Sequence, residues 1–324
     1  MKHIFIINPA AGQGGAQKFM EEIDTVCEVA GIDYRIHETI EAGEGEIFVR
    51  RCCKAQEEDH LTETIRFYAC GGDGTLNEVV NGATGYDFAE VACIPAGTGN
   101  DFIRNFPEGR FDDLVAQIQG ESCLCDLIRY EGICEGQEVS RYCVNMFNIG
   151  FDCNVVDLTA KMKEKPLLTG SLAYLVSVAF MLIRKLGADL RVDYEDGSFF
   201  SGELLLIAVA NGCYCGGGVM GLPKATTDDG AFDVSLIRDV PRRTFVQLFP
   251  KYMKGTHLSD PRLDGVIHYT HEKTLTIRPN RDTMKFCVDG EITEAEMIRF
   301  SIAPGAFRFV VPVRNTAGLD VHST

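Results

Sequence analysis

The sequence predicts two domains: an α/β domain built on a parallel sheet, followed by a mainly β domain built as a sandwich. Three observations support this prediction. The chain has 324 residues, a length typical of two domains. Strand and helix patterns alternate up to about residue 122, and short runs of alternating apolar and polar residues dominate after it. We therefore expect domains at residues 1–122 and 123–324.

In the first domain, β-rich runs alternate with helical spacings. The runs that predict strands lie at residues 4–8, 34–38, 65–70 and 91–94. Apolar residues at spacings of three or four predict a helix over residues 19–30, and a second is predicted over residues 46–56. A third helix is expected to begin near Thr75. This order implies a parallel sheet covered by helices.

The second domain is predicted from short runs bounded by Gly, Pro and Asp, a pattern typical of an antiparallel sheet or sandwich. The runs lie at residues 125–130, 142–149, 190–194, 204–211, 232–237, 274–278, 284–288 and 307–311. One helical insert is expected at about residues 168–186, and the polar tail after Arg314 is expected to be loose. The last strand, at about residues 306–313, is expected to pack back on the first domain.

The composition excludes some classes of function. The 47 acidic residues outnumber the 31 basic ones, and a net charge of -16 argues against nucleic-acid binding. The 13 cysteines lack the two-residue gap of zinc ligands, and the opening residues lack a signal-peptide pattern. We therefore expect a cytoplasmic protein with reduced thiols. The apolar stretch at residues 167–186 is too polar to predict a membrane span with any force, and a buried or groove-lining helix is favoured.

Two groups of basic residues stand out against this acidic background. The first flanks the apolar stretch, and the second lies near residue 250. They comprise Lys161, Lys163, Lys165, Arg184 and Lys185, and then Arg242, Arg243, Lys251 and Lys254. Either group could contact lipid headgroups, although a solvated helix face is the commoner reason for such runs.

Three glycine-rich turns follow three predicted strands of the first domain, at residues 8–12, 71–75 and 97–101. Turns after parallel strands gather at one edge of the sheet, where ligands bind. Glycines let backbone N–H groups approach phosphate oxygens, and a helix that begins there adds its positive end. The P-loop pattern GxxxxGK[ST] is absent and the GxGxxG pattern is incomplete, so a phosphate site of another kind is predicted.

Asp73 stands between glycines at the second of these turns. A carboxylate there would repel phosphate unless a cation lies between them, and Mg²⁺ binds phosphates together with one or two carboxylates. The alternative is that Asp73 caps the helix that begins near Thr75. The two further glycine turns favour the magnesium interpretation.

Residues 71–82, with the sequence GGDGTLNEVVNG, resemble the signature of the diacylglycerol kinase catalytic family, which includes bacterial soluble lipid kinases and the sphingosine and ceramide kinases. Residues 8–12 resemble the N-terminal loop of that family, and residues 94–102 resemble its third motif. Shorter motifs at residues 211–218, 222–225, 228–230 and 288–291 follow in the family's order. The resemblance therefore covers nearly the whole chain.

The resemblance implies a fold like that of the NAD and diacylglycerol kinases, and transfer of phosphate from ATP to a lipid hydroxyl. Asp73 would act on the Mg²⁺–phosphate assembly, and Glu291 would be the general base. Asp229 would hold a structural Mg²⁺, with backbone carbonyls near Thr226 and Ala231. The residues that would line the ATP site are Asn8, Pro9, Ala10, Ala11, Gly12, Thr39, Gly72, Asp73, Gly74, Thr75, Leu76, Asn77, Glu78 and Thr98.

On this interpretation the active site lies in a cleft between the domains, and the acyl chains of the acceptor lie in an apolar pocket of the second domain. The enzyme would rest on a membrane surface during turnover. Diacylglycerol is the first candidate acceptor, ahead of phosphatidylglycerol, monoacylglycerol and sphingoid bases.

Other interpretations stay open at this point. Taken alone, Asp289-Gly290-Glu291 and Asp228-Asp229-Gly230 are ordinary turns. NAD kinase shares the Gly-Gly-Asp-Gly-Thr turn but phosphorylates a ribose hydroxyl, and the Asn77-Glu78 pair directly after the turn fits the lipid kinases better. A nucleotide-binding regulator without turnover is a third alternative. A homodimer through a sheet edge is a further alternative that no particular residue indicates.

Overall fold

The structure, a computed structural model, describes residues 1–11, 16–151, 153 and 187–312. The chain forms two compact units, Met1–Asp126 together with the chain from Gly305 onwards, and Leu127–Pro304. The predicted helical insert at about residues 168–186, the first basic group and the tail after Arg314 lie outside the described residues. The assignment of nucleotide binding and lipid binding to two domains stays a prediction.

The first unit is built on a parallel sheet. Its strands are β1 (Lys2–Ile7), β2 (Tyr34–Glu38), β3 (Ile65–Gly71) and β4 (Ala89–Pro95), paired in the order β2-β1-β3-β4. Every residue of β3 is buried, as expected for a central strand covered on both faces. The predicted parallel α/β arrangement is confirmed.

Four helices accompany this sheet: α1 (Ala16–Ala30), α2 (Glu44–Glu58), α3 (Asp73–Ala83) and α4 (Leu114–Gln119), with a 3-10 turn at Phe102–Asn105. Ile23 and Cys27 of α1 lie four residues apart and are both buried, so one face of the helix covers the sheet. Helix α3 begins at Asp73, two residues earlier than the sequence predicts. This start leaves no loop between the second glycine turn and the helix.

The second unit is mainly antiparallel. Its strands are β5 (Glu121–Cys134), β6 (Gln137–Cys143), β7 (Met146–Gly150), β8 (Ala188–Tyr194), β9 (Phe199–Leu204), β10 (Leu206–Ala210), β11 (Phe232–Ile237), β12 (Ile267–Glu272), β13 (Thr274–Pro279), β14 (Met284–Val288) and β15 (Glu291–Val311). One run of strands is β12-β11-β10-β7-β14-β15 and another is β9-β8-β13-β15, with β6 paired to β5. The unit boundary falls within β5 and β15, and residues 308–309 of β15 pair in parallel with β4.

Aromatic side chains fill the sandwich core of the second unit. The ring of Phe147 stacks on Phe286 with centroids 4.6 Å apart and meets the edge of Phe300 at 4.7 Å. Ile207 of β10 faces this same core, whereas its neighbour Leu206 faces a second apolar cluster on the other side of the sheet. The predicted sandwich is confirmed.

Helix α5 (Arg242–Met253) covers that second cluster. Its rings pack inward: the centroids of Phe245 and Phe249 lie 5.4 Å apart, and Phe245 lies 4.9 Å from Phe151. The sequence prediction did not include this helix, although Phe245, Leu248, Phe249 and Tyr252 have helical spacing.

Several predicted strand boundaries are wrong. The run at residues 142–149 is two strands, β6 and β7, because the backbone N–H groups of Val144 and Asn145 donate to Asp289 rather than to a neighbouring strand. The run at residues 204–211 is divided between β9 and β10. Strands β9 and β12 were not predicted, because their mixed polar residues and the glycine in β9 weaken the alternating pattern.

Candidate functional site

The glycine turns of the first unit start at one edge of its sheet. The register places Ile7 beside Cys70 and Gly71 beside Pro95, so β1, β3 and β4 end together. The N–H of Asn8 donates to the carbonyl of Cys70 at 3.1 Å, and the N–H of Ala96 donates to that of Gly71 at 2.8 Å. Thr39 follows β2 at the same edge, with its N–H 2.9 Å from the Ile7 carbonyl. Gly12, the last residue of the first turn, lies outside the described residues.

The second and third turns are in backbone contact through two glycines. A methyl carbon placed on Gly72 would lie 3.2 Å from the Cα of Gly97, and a methyl carbon on Gly97 would overlap the Cα of Gly72. Only residues without a side chain permit this approach. The two turns therefore form one surface at the start of α3.

The carboxylate of Asp73 joins the same two turns. Its Oδ1 accepts hydrogen bonds from the N–H of Asp101 at 2.7 Å and the N–H of Phe102 at 3.4 Å. Helix α3 begins at Asp73 itself, and its N-cap Gly72 makes no side-chain cap. The alternative in which Asp73 caps a helix starting near Thr75 is therefore wrong. The pKa of the Cys93 thiol is raised, first by burial and then by the nearby Asp73 carboxylate.

Thr75 connects the first turn to the second. The side-chain amide of Asn8 donates to the Thr75 hydroxyl at 3.2 Å, and Thr75 itself is buried against Gly71. The side-chain oxygen of Asn8 also accepts from the N–H of Ala10 at 3.0 Å, which shapes the exposed start of the first turn. Three chain segments are thus held by specific hydrogen bonds around the N-terminus of α3.

Glu78 has a different environment from the other predicted ATP-lining residues. Its two carboxylate oxygens accept from the N–H of Gly43 at 2.8 Å and from the N–H of Gly45 at 3.0 Å. It thereby ties α3 to the loop that carries Thr39 into α2. Both carboxylate oxygens of Glu78 therefore bind the backbone at the start of α2, and its contact with ATP stays a prediction.

The remaining predicted residues of this group differ in exposure. Thr98, Pro9 and Ala10 are exposed, Asn77 and Gly74 are partly buried, and Leu76 is only 2% exposed. Ala11 donates its N–H to the Asn8 carbonyl at 3.1 Å. Because the Leu76 side chain is buried, it stabilises the start of α3, and only the backbone of this residue could contact a ligand.

Asn100 shapes the third turn and was absent from the predicted site. It has a positive φ of 49°, which Asn tolerates better than most residues. Its side chain accepts from the N–H of Gly97 at 3.1 Å and donates to the Gly97 carbonyl at 2.8 Å. Arg104 closes the turn from outside by donating to the Gly99 carbonyl at 3.0 Å. The sequence signal that could have identified Asn100 is its position directly after Gly97-Thr98-Gly99.

In the second unit, Glu291 begins β15 directly after a tight turn. Val288 pairs with Glu291, and Asp289 lies in the turn with a positive φ of 46°. The Asp289 carboxylate accepts from the N–H groups of Val144 at 2.7 Å, Asn145 at 3.0 Å and Met146 at 3.0 Å. The turn is therefore a hairpin, as the simpler interpretation held, and it is anchored so that the position of Glu291 is fixed.

The residues predicted around a structural metal lie together. The hydroxyl of Thr226 and the N–H of Ala231, the latter at 3.2 Å, both donate to the Asp229 carboxylate, and the Nε2 of His271 lies 3.7 Å from its Oδ2. Within the described parts of the chain, no three His, Cys, Asp or Glu side chains are arranged to hold a metal ion.

An apolar pocket lies between α5 and the outer face of β10 and β11. Its lining includes Phe151, Leu206, Ile237, Phe249 and His257, and the space inside it that a water-sized sphere can fill is about 50 Å³. Burial lowers the pKa of His257 to about 4, so its imidazole is neutral at physiological pH. A neutral, apolar lining of this kind suits a hydrocarbon chain.

Comparison with known proteins identifies the family. Residues 2–130 match the family model of the diacylglycerol kinase catalytic domain, and residues 145–311 match that of the YegS C-terminal NAD kinase beta sandwich-like domain. The chain belongs to the diacylglycerol kinase family. The predicted family is confirmed, and membership makes the chain a kinase, for which ATP is the phosphate donor.

Relatives of this kinase share most of its length. A diacylglycerol kinase of Bacillus subtilis is 29% identical over 88% of this chain and 88% of its own. The Bacillus subtilis protein YtlR, provisionally named a lipid kinase, is 28% identical over 95% of this chain and 99% of its own. A crystal structure of a diacylglycerol kinase from Bacillus anthracis, 21% identical, covers 98% of both chains with a TM-score of 0.67, which supports the fold.

No helix among the described residues of this kinase is long and apolar enough to cross a membrane. The stretch at residues 167–186 lies outside that part of the chain.

Proposed function

We propose that this kinase transfers the γ-phosphate of ATP to the hydroxyl of diacylglycerol, which yields phosphatidic acid. The observation that carries the proposal is the joined pair of turns at the N-terminus of α3, locked by the Gly72–Gly97 approach and by the 2.7 Å hydrogen bond from Asp101 to Asp73. The names of the relatives support a lipid acceptor, and diacylglycerol is the acceptor that most of them name.

The triphosphate would lie on these turns. Their backbone N–H groups and the positive end of α3, an 11-residue helix, favour an anion there. Asn8 and Thr39 would line the same edge, with Glu78 holding the loop that carries Thr39.

Mg²⁺ fits the chemistry of Asp73. A carboxylate among backbone amides at a phosphate site is the type of ligand that Mg²⁺ takes, usually one or two per ion with phosphates completing the shell. When bound, the ion would neutralise charge on the phosphates. Asp229 stays our proposed ligand for a structural ion, with Thr226 and Ala231 beside it, although their hydrogen bonds do not require one.

Glu291 is our proposed general base. A lipid hydroxyl is a weak nucleophile, and a positioned carboxylate that accepts its proton during transfer typically accelerates such a step by about 10²–10⁴-fold. The three hydrogen bonds to Asp289 fix the hairpin from which Glu291 projects. The first carbons of an acyl chain of the acceptor would enter the apolar pocket beneath α5, whose fillable space of about 50 Å³ holds only a short part of the chain.

The test is a phosphate-transfer assay with γ-labelled ATP and a panel of acceptors, read by mass spectrometry of the product. The panel comprises diacylglycerol, monoacylglycerol, phosphatidylglycerol, a sphingoid base and NAD. We expect label chiefly in phosphatidic acid. Label only in NADP would replace the proposal with a ribose kinase, and label in no product would support a nucleotide-binding regulator.

A further inference from the structure

An open cleft lies at the rim of the sandwich in the second unit, between β12 and the turn that joins β8 to β9. The space inside it that a water-sized sphere can fill is about 500 Å³, which is within the size range of small-molecule sites. Its lining includes Tyr194, Glu195, Asp196, His268, Thr270 and Glu272. None of these residues is among those predicted for ATP, the general base or a metal ion, so the cleft is a candidate for a separate site.

The inner face of β12 is polar where the core of a sandwich is normally apolar. The three residues that β12 gives to the cleft alternate along the strand, and the register places them beside Leu236, Val234 and Phe232 of β11. Those three neighbours belong to the sandwich core. Directly paired residues point to the same face of a sheet, so β12 directs polar side chains toward the core. Inward charges can protect an edge strand from pairing with another chain, but that role does not require a cleft with a polar wall on the facing sheet.

Tyr194 and the turn after it form the facing wall. The Tyr194 ring packs on the sandwich core and meets the His268 imidazole edge to face, with centroids 5.9 Å apart. The N–H of Tyr194 donates to the Ser198 carbonyl at 3.0 Å, and the N–H of Gly197 donates to the Tyr194 carbonyl at 3.2 Å. The Asp196 carboxylate accepts from the N–H of Ser198 at 2.8 Å. These bonds fix the turn, so the wall is formed before any ligand arrives.

Two hydroxyl groups in these walls lack a hydrogen-bond partner. The Oη of Tyr194 and the Oγ1 of Thr270 are both buried, and no described residue donates to or accepts from either. Most buried polar groups in folded proteins are hydrogen-bonded, and an unpartnered one destabilises the fold. Both hydroxyl oxygens can accept a hydrogen bond, so a ligand with N–H donors that reached them would supply the missing partner.

The charge of the cleft is negative. Three carboxylates and no Lys or Arg are among the described residues that line it. Burial first, and then the charges of Glu272 and Asp196, raise the pKa of Tyr194 to about 12, so these carboxylates act at the unpartnered hydroxyl. Their field favours a cation, to which the face of the Tyr194 ring adds a further attraction. The described acidic groups are not arranged to hold a metal ion, which favours an organic cation.

We propose that this cleft binds a small organic cation through a primary ammonium group, with the carboxylates of Glu195 and Glu272 as its counter-charges and the hydroxyls of Tyr194 and Thr270 as acceptors of its N–H groups. Asp196 is already engaged in the turn and contributes its charge. A quaternary ammonium lacks the N–H groups that these acceptors require. The size of the cleft and its three carboxylates favour a short carbon chain with two ammonium groups. This binding goes beyond the proposed phosphate transfer and is measurable without turnover.

Isothermal titration of the full chain with 1,4-diaminobutane tests this site, at low ionic strength where charges are least screened. The control ligand is the same diamine with both nitrogens fully methylated, which keeps both charges and has no N–H group. It should bind at least about tenfold more weakly, because charge-assisted hydrogen bonds are lost. A third titration uses glycerophosphoethanolamine, which carries the same ammonium group beside a phosphate. Tighter binding of this compound than of the diamine would assign the ammonium to a lipid headgroup, and weaker binding would assign it to a soluble amine.

Matched variants locate the binding on the chain. Glu195→Gln/Glu272→Gln should bind the diamine at least about tenfold more weakly, because two of the three carboxylates are lost. Glu57→Gln/Glu58→Gln removes the same charge from exposed residues of α2 and should bind within about twofold of the wild type, since charges beyond a Debye length of roughly 10 Å are screened. Thr270→Val keeps the shape and every charge and should bind about fivefold more weakly. Absence of diamine binding by the wild type, equal binding of the methylated diamine, or an equal loss in both double variants would overturn the proposal.

Discussion

Replacing Gly97 with alanine tests whether the two glycine turns must touch. The new methyl carbon would lie 2.9 Å from Oδ1 of Asn100 and under 3.0 Å from the Cα of Gly72, whereas ordinary van der Waals contact begins at 3.4 Å. The Gly72 atom belongs to the backbone, so the turns must separate by about 1 Å to restore ordinary contact. Because a shift of about 1 Å in a catalytic group costs on the order of 10²-fold, we expect kcat/KM to fall by roughly 10- to 100-fold.

The assay measures phosphate transfer to diacylglycerol alongside thermal unfolding. The control is Gly31→Ala, at a position with φ of 64° and no neighbouring atom within 4 Å. It should lower stability by about 1 kcal/mol through backbone strain and leave kcat/KM unchanged. Wild-type kcat/KM in a folded Gly97→Ala protein would refute the reasoning, because the close approach would then have no function.

Three further predictions concern single side chains. Asp73→Asn should remain folded, because its amide oxygen can still accept from Asp101, yet lose about 10²–10³-fold in kcat; full activity would exclude its proposed role. Asp289→Ala removes the acceptor of three backbone N–H groups and should lower the free energy of unfolding by about 2–4 kcal/mol in urea titration. An unchanged free energy of unfolding would show that the hairpin does not need this anchor. The pKa of His257 is about 4 when folded and 6.5 in its reference state, so the unfolded chain binds more protons between these values. The free energy of unfolding should therefore fall by about 3 kcal/mol as the pH drops from 6.5 to 4, and this fall should be absent in His257→Leu. An equal fall in the variant and the wild type would contradict the prediction.

Much of the first unit was predictable from local patterns. Its strands are continuous apolar runs, as strands buried on both faces must be, and each ends in a glycine turn. The register that aligns Ile7, Cys70 and Ile94 then follows from parallel pairing. The second unit was harder. Strands β9 and β12 carry polar residues in mixed order, and β7 is separated from β6 by Val144 and Asn145, whose backbone groups bond to the distant Asp289 and Asn211.

The roles of some site residues depend on partners distant in the chain, and the sequence alone does not specify these. Glu78 resembles a nucleotide contact within its motif, but its oxygens are taken by amides 33 and 35 residues away. Asn100 acts through backbone geometry that only a positive φ permits. The charge of α5 was visible in the sequence, whereas its position beside an apolar pocket depends on how the sheet packs.

The central claim is that Asp73 and Glu291 play different roles in one phosphate transfer, Asp73 at the magnesium-bound phosphates and Glu291 as the proton acceptor. It is tested most directly by measuring ATP binding and single-turnover transfer to diacylglycerol in the wild type and in Glu291→Gln. We predict an unchanged Kd for ATP and a transfer rate lower by about 10²–10⁴-fold, since the variant lacks the proton acceptor but keeps the phosphate turns. Transfer at the wild-type rate in Glu291→Gln would contradict the account.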